Sequence, residues 1–280
     1  MTAGFAYRPI MIWNQRTFAS SLALVCLCAS AAGEPAPLTA EEMAGAARTD
    51  GLSIPMPGEF MAALNKLGKL DWSSKFRAPI ATNYTSRPQI ALNLGSLIAD
   101  GYIAIEAEDG PQVKNIGKDV MALAKVLGVS KDVIERATSI TGFAENNQWD
   151  RLKEELEATQ NEVKTAMTEA KDQDLVTLVT VGGWLRGTEV VSGHVAAHYS
   201  EAGAKLLRQP GVVAFLNQHI EALPEKVRDD ASVKMVRKKM MEIEKLVSFP
   251  LNLGASDADV KQLSKLTSEA VKEMSKKQTK

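Results

Sequence analysis

The chain has 280 residues, of which 45% are hydrophobic and 24% charged, enough apolar material for a sizeable core. Its 33 basic and 34 acidic residues leave a formal charge of −1, which offers no electrostatic footprint for nucleic acid or an anionic membrane. Aromatic residues are scarce at 5%, while Ala, Leu, Met, Lys and Glu abound, a mixture that favours helix over sheet.

At the N-terminus, Arg8 and Arg16 precede an apolar run from Leu22 to Ala32. Small residues follow at the spacing of a cleavage site, Ala29 with Ala31 or Ser30 with Ala32, so residues 1–32 are expected to be a cleaved secretory signal. Translation from Met11 instead of Met1 would give a more compact signal. The run is shorter than the roughly 20 residues a membrane span needs. Neither Cys26 nor Cys28 follows the small residue that lipid attachment wants. Both leave with the signal, so the expected mature chain is periplasmic or extracellular, free of cysteine, and carries a charge of −3 from 31 basic and 34 acidic residues. Thiol catalysis, covalent haem attachment and cysteine-based metal sites are thereby excluded from it.

Residues 33–57 contain Pro35, Pro37, Pro55 and Pro57 and read as a Pro-rich arm, with Thr39 and Glu42 as a capping box. A single all-helical domain is expected over 58–275, followed by a basic tail at 276–280. Pro57 opens a helix with Phe60, Leu64 and Leu67 on one face. Residues 71–87 have no helical period and read as a long loop pinned by Trp72, Phe76, Ile80 and Tyr84.

The segment from Gln89 to Asp109 is the predicted central helix. Ile90, Leu94, Leu97, Ile98, Gly101 and Ile105 recur at three- and four-residue steps. Gly95 and Gly101, each costing a helix about 1 kcal/mol relative to alanine, predict close approach of another helix. Tyr102 to Glu108 alternates like a strand, but the helical period runs through it and no partner strand is nearby. Gly110-Pro111 restarts the chain as an amphipathic helix with Val113, Ile116, Val120, Leu123 and Leu127, ending at Gly128. Ser130 is expected to cap a helix holding Val133, Ile134, Ala137 and Ile140. From Asn147 to about Lys171, Trp149, Leu152, Leu156, Thr159, Val163, Ala166 and Ala170 form a narrow coiled-coil-like seam.

A second glycine-punctuated apolar segment runs from Leu175 to Leu207, and Gln209-Pro210 turns it into Val212–Leu223. Pro224 is expected to start a long charged helix with Val233, Val236, Met240, Ile243 and Val247 in line. Ser256 opens the last one, with Val260, Leu263, Thr267, Ala270 and Met274. The fold class is therefore all-α, a multi-helix bundle with long amphipathic helices. Residues 86–172 and 173–248 share an outline that suggests a weak internal duplication.

The three histidines, His194, His198 and His219, lie within one short stretch. The i,i+4 spacing of His194 and His198 suits a two-imidazole site for zinc or copper, with Glu189 or Glu201 in reach. If the segment runs unbroken to a hairpin at Gln209-Pro210, His219 returns within about 5 Å of their height. Val195 stands where a zinc protease needs glutamate. Met235, Met240 and Met241 read as core filler ahead of a copper-thioether box. The acidic residues Asp100, Glu106, Glu108 and Asp109 read as a solvated helix end. No nucleophile elbow, phosphate loop or dinucleotide fingerprint occurs. The leading expectation is thus a secreted or periplasmic, non-enzymatic helical domain that binds a protein or small ligand. A metal-binding protein using the three histidines is the alternative, and an enzyme of unrecognised type, with a site near 71–109 that includes Asn83 and Tyr84, is the third reading.

Overall fold

A computed structural model describes residues 57–277. The expected signal, the Pro-rich arm and the last tail residues lie outside them, as do the side chains of Ser130 and Val133. The helices are α1 (Pro57–Asn65), α2 (Arg87–Glu106), α3 (Gly110–Leu127), α4 (Ser130–Glu145), α5 (Trp149–Glu169), α6 (Gln173–Ala197), α7 (Glu201–Leu206), α8 (Pro210–Ala222), α9 (Glu225–Arg228), α10 (Ala231–Val247) and α11 (Asp257–Met274). The described residues contain no strand.

Local chemistry sets the helix ends. Ser86 accepts a hydrogen bond from the Gln89 amide and Pro88 fills the first turn, starting α2. Asp109 does the same for α3 through Gln112, and Gly128, at φ 87°, ends it. Ser256 caps α11 through Asp259. The short turns between α2, α3, α4 and α5 force antiparallel neighbours. Each of these helices packs on the next, and α5 returns to α2, closing a four-helix ring. On its other side α2 crosses α6, which in turn packs against α1, α8 and α11, with α10 lying between α8 and α11.

The α2–α6 crossing depends on missing side chains. A Cβ on Gly95 would stand 1.8 Å from the Val179 carbonyl oxygen, and one on Gly182 would stand 1.9 Å from that of Leu92. Only glycine lets the two backbones approach this closely.

Several expectations need correction. The central helix is buried on every face from Gln89 to Ile105, not along one apolar stripe, because α6 covers the side that α3 and α5 leave open. Leu175–Leu207 is not one helix: α6 stops at Ala197, and Ser200 recaps the chain by accepting from the Gly203 amide. Pro224 starts only the single turn α9. Asp230 begins the long helix, accepting from the Ser232 and Val233 amides. Leu67 lies past the end of α1 and is exposed. On α5 the buried seam is Leu152, Thr159, Gln160, Val163 and Met167, so the glutamine belongs to the core side, while Ala170 is exposed. The seams of α10 and α11 fall where their periodicity puts them, with Val233, Val236, Met240, Ile243, Val247, Val260, Leu263, Thr267, Ala270 and Met274 all buried.

Candidate functional site

The fully buried α2 carries a polar line at helical spacing, Gln89, Asn93, Ser96 and Asp100. Each member is satisfied. The Gln89 side-chain amide donates to the carbonyls of Met274 and Lys276, and that of Asn93 donates to Met274. These bonds close the carbonyl end of α11. Tyr84 helps by donating its hydroxyl to the Ser275 carbonyl at 2.9 Å, and burial pushes the phenol up to about 12.

Further along, Asp100 takes two guanidiniums. Arg77 donates through Nε to Oδ2 at 2.8 Å and through Nη2 to Ser96 Oγ at 2.6 Å. Arg186 reaches Oδ1 at 2.7 Å from α6, and also donates to Glu189 at 2.8 Å and to the Lys75 carbonyl at 2.7 Å. Burial works against the charge of Arg186, but Asp100 and Glu189 outweigh it and leave its pKa raised. The acidic helix end is therefore solvated at Glu108 but not as a cluster. Asp100 is a buried ion, Glu106 binds Lys153 and Asn65, and Asp109 is a cap. Arg186 escaped notice in the sequence, although an arginine inside the apolar Trp184–Val191 run was the available signal.

A polar cleft of about 280 Å³ lies beside this cluster, between residues 76–80 and α2 and α3, with Arg77, Asp100, Gln112, Asn115, Lys118 and Asp119 in its walls. Both oxygens of Asp100 are already engaged there. Tyr84 is buried away from this cleft on α11, and Asn83 is exposed.

A second, mostly apolar space lies inside the four-helix ring. A cavity of about 490 Å³ is walled by Leu94, Leu97, Ile98, Gly101 and Ile105 of α2, Val113, Ile116, Gly117, Val120 and Met121 of α3, Ala137 and Ile140 of α4, and Leu152, Leu156, Thr159, Gln160 and Val163 of α5. Exposed Lys118 and Thr141 mark its mouth on the α3–α4 side. Protein interiors rarely leave voids larger than a water, whereas enclosed ligand pockets run to about 300–1,000 Å³. Of the buried wall residues only Thr159 and Gln160 are polar. Thr159 spends its hydroxyl on the Glu155 carbonyl at 2.7 Å, while Gln160 Oε1 has no hydrogen-bond partner.

The histidines lie elsewhere. His194 and His198 stack at the end of α6 with ring centroids 4.8 Å apart. Burial, the Lys75 charge and His198 lower the pKa of His194. His219 is exposed on α8, packed on the Phe215 ring at 3.9 Å. The break after Ala197 removes the straight hairpin on which their common height depended. Among the described residues no three His, Asp or Glu side chains gather as a metal site would require. Met240 is in the core and Met241 is exposed.

The class that these features define is an all-α bundle built around a buried helix crossing, with an apolar cavity in one four-helix half. Compared with protein-family models, curated protein sequences and solved structures, the chain matches none. No helix among the described residues is long and apolar enough to cross a membrane.

Proposed function

We propose that the protein is a non-enzymatic binder of a small apolar ligand, held in the cavity between α2, α3, α4 and α5. The cavity's size and almost wholly apolar wall carry this reading. Helical bundles commonly build ligand sites from side chains on facing helices, as here. Burying an aliphatic or aromatic ligand against about a dozen apolar side chains supplies the binding energy, while the ring, closed by short turns, is formed in advance. The polar cleft near Arg77 and Asp100 supports an enzyme less well, since Asp100, one of its two wall carboxylates, is held in a two-arginine ion pair.

Native mass spectrometry of the purified protein with an apolar ligand tests the proposal. A one-to-one complex is expected, and failure of every apolar ligand to bind would count against it. The Leu22–Ala32 run supports export as part of the same reading. A secreted or periplasmic chain starting at Ala32 or Gly33 is expected on N-terminal sequencing, and a cytoplasmic chain retaining residues 1–32 would contradict it.

A further inference from the structure

Resting on that reading, we infer that the cavity's ligand is a monoanionic amphiphile. Its apolar body fills the space, and one anionic group, as in an aliphatic carboxylate, stays at the mouth against Lys118. The register of α3 and α4 carries this. The two helices pack together as antiparallel neighbours, and Lys114 of α3 pairs with Glu145 of α4 at 2.6 Å. Lys118 stands four residues further along α3 and Thr141 four residues back along α4. The same register therefore sets these two across from one another, one helical turn from the ion pair. Both line the cavity and both are exposed. The first rung matches a lysine with a glutamate, and the second faces a lysine with a hydroxyl. Among the described residues Lys118 forms no ion pair and no hydrogen bond, and neither does the Thr141 side chain.

Charge decides the ligand class. Lys114 and Lys118 are the charged residues of the lining, and they share one face of α3 at the rim. A charge carried deep into the apolar wall would lose its hydration with no counter-ion in reach. An anion at the mouth keeps much of its water and gains the Lys118 ammonium, with the Thr141 hydroxyl opposite as a second donor. A cationic group would instead meet two lysines, of which Glu145 offsets one. A neutral group gains nothing from Lys118. One uncompensated cation matches a single negative charge. Asp119, the next residue of α3, is a wall of the polar cleft and not of the cavity, so it does not supply that charge.

Decanoate, decan-1-ol and decylammonium share one hydrocarbon chain and differ in the head group. Calorimetric titration of the full-length protein at neutral pH and low salt gives a Kd for each. Decanoate is expected to bind the wild type more tightly than decylammonium. In Lys118→Gln the ratio of the decanoate Kd to the decanol Kd is expected to rise about fivefold, the size of an exposed ion pair. Taking the ratio cancels any effect of the substitution on the cavity that both ligands feel. Glu145→Gln releases Lys114 to the mouth and is expected to move the ratio the other way, by tightening decanoate alone. Both side chains face solvent, so neither change should disturb folding. A ratio that moves in neither variant overturns the role of Lys118 while leaving the apolar cavity reading in place. Tighter binding of decylammonium than of decanoate to the wild type overturns the anionic assignment. If none of the three binds, the cavity reading itself falls.

Discussion

Asp100 holds two helices and a loop together through one carboxylate, accepting from Arg77 and Arg186 at once. Removing it leaves Arg186 buried with Glu189 as its remaining carboxylate. Asp100→Ala is therefore expected to cost about 3–5 kcal/mol in urea unfolding, and a loss below about 1 kcal/mol would show the pair to be dispensable. His194 gives a pH signature. Its folded-state pKa lies below the ordinary 6.5, so the unfolded chain takes up the proton first. The stabilising contribution is thus complete above that value and is lost as pH falls through the folded pKa. Thermal melts should drop between about pH 7 and pH 5, with a smaller drop in His194→Gln, and an identical drop in both proteins would contradict the assignment. Neither residue's setting could be read from the chain. Asp100 shares a short stretch of sequence with Glu106 and Glu108, but its partners come from 23 and 86 positions away. Charge near a helix end says solvent unless those partners are known.

Gly95 and Gly101 look alike in sequence and behave differently in the fold. A Cβ on Gly95 collides with the backbone of α6, whereas one on Gly101 meets Leu156 Cδ2 at an ordinary 3.4 Å. Gly95→Ala is expected to destabilise by at least about 2–3 kcal/mol because a backbone must move. Gly101→Ala should stay within about 1 kcal/mol of wild type, helped by its better helix propensity. Equal effects in chemical unfolding would refute the close crossing. The amphipathic helices α3, α10 and α11 were legible in the chain because each has one wet face, so periodicity names the buried one. The central helix lacks a wet face, and its period says nothing about who covers each side. Helix ends were legible where a side chain or glycine marks them, as at Gly128 and Ser256, while the capping roles of Ser86 and Asp109 were not read. The left-handed turns at Glu108 and Lys171, φ 53° and 62°, carry no residue that marks them, although the ends beside them were read within a few residues from the loss of period.

At the scale of the whole molecule, the α2–α6 crossing divides the labour. One side packs α1, α8, α10 and α11 into a dense core, with the polar line of α2 tying down the end of α11. The other side closes a ring whose inner faces pack together around Ile105, Val113, Ile116 and Leu152, with the cavity bordering that cluster. No local pattern could announce it. The residues that line it are ordinary core residues on four separate helices, and the space between them depends on which helices become neighbours. Thr159 was placed on the seam from its spacing, but Gln160 beside it was not, since the coiled-coil period assigns that position to the flank. The central claim is that this space takes a ligand, and Gly117 offers the cleanest way to close it. Gly117 lines the cavity, and a Cβ there would meet nothing within 4 Å, so Gly117→Phe starts a bulky side chain from open space beside the cavity. The decisive measurement is a fluorescence titration of both proteins with N-phenyl-1-naphthylamine. Saturable one-to-one binding to the wild type, lost in a Gly117→Phe protein with an unchanged melting temperature or a higher one, is the predicted result. Equal binding to both, or no saturable binding to either, would contradict the account.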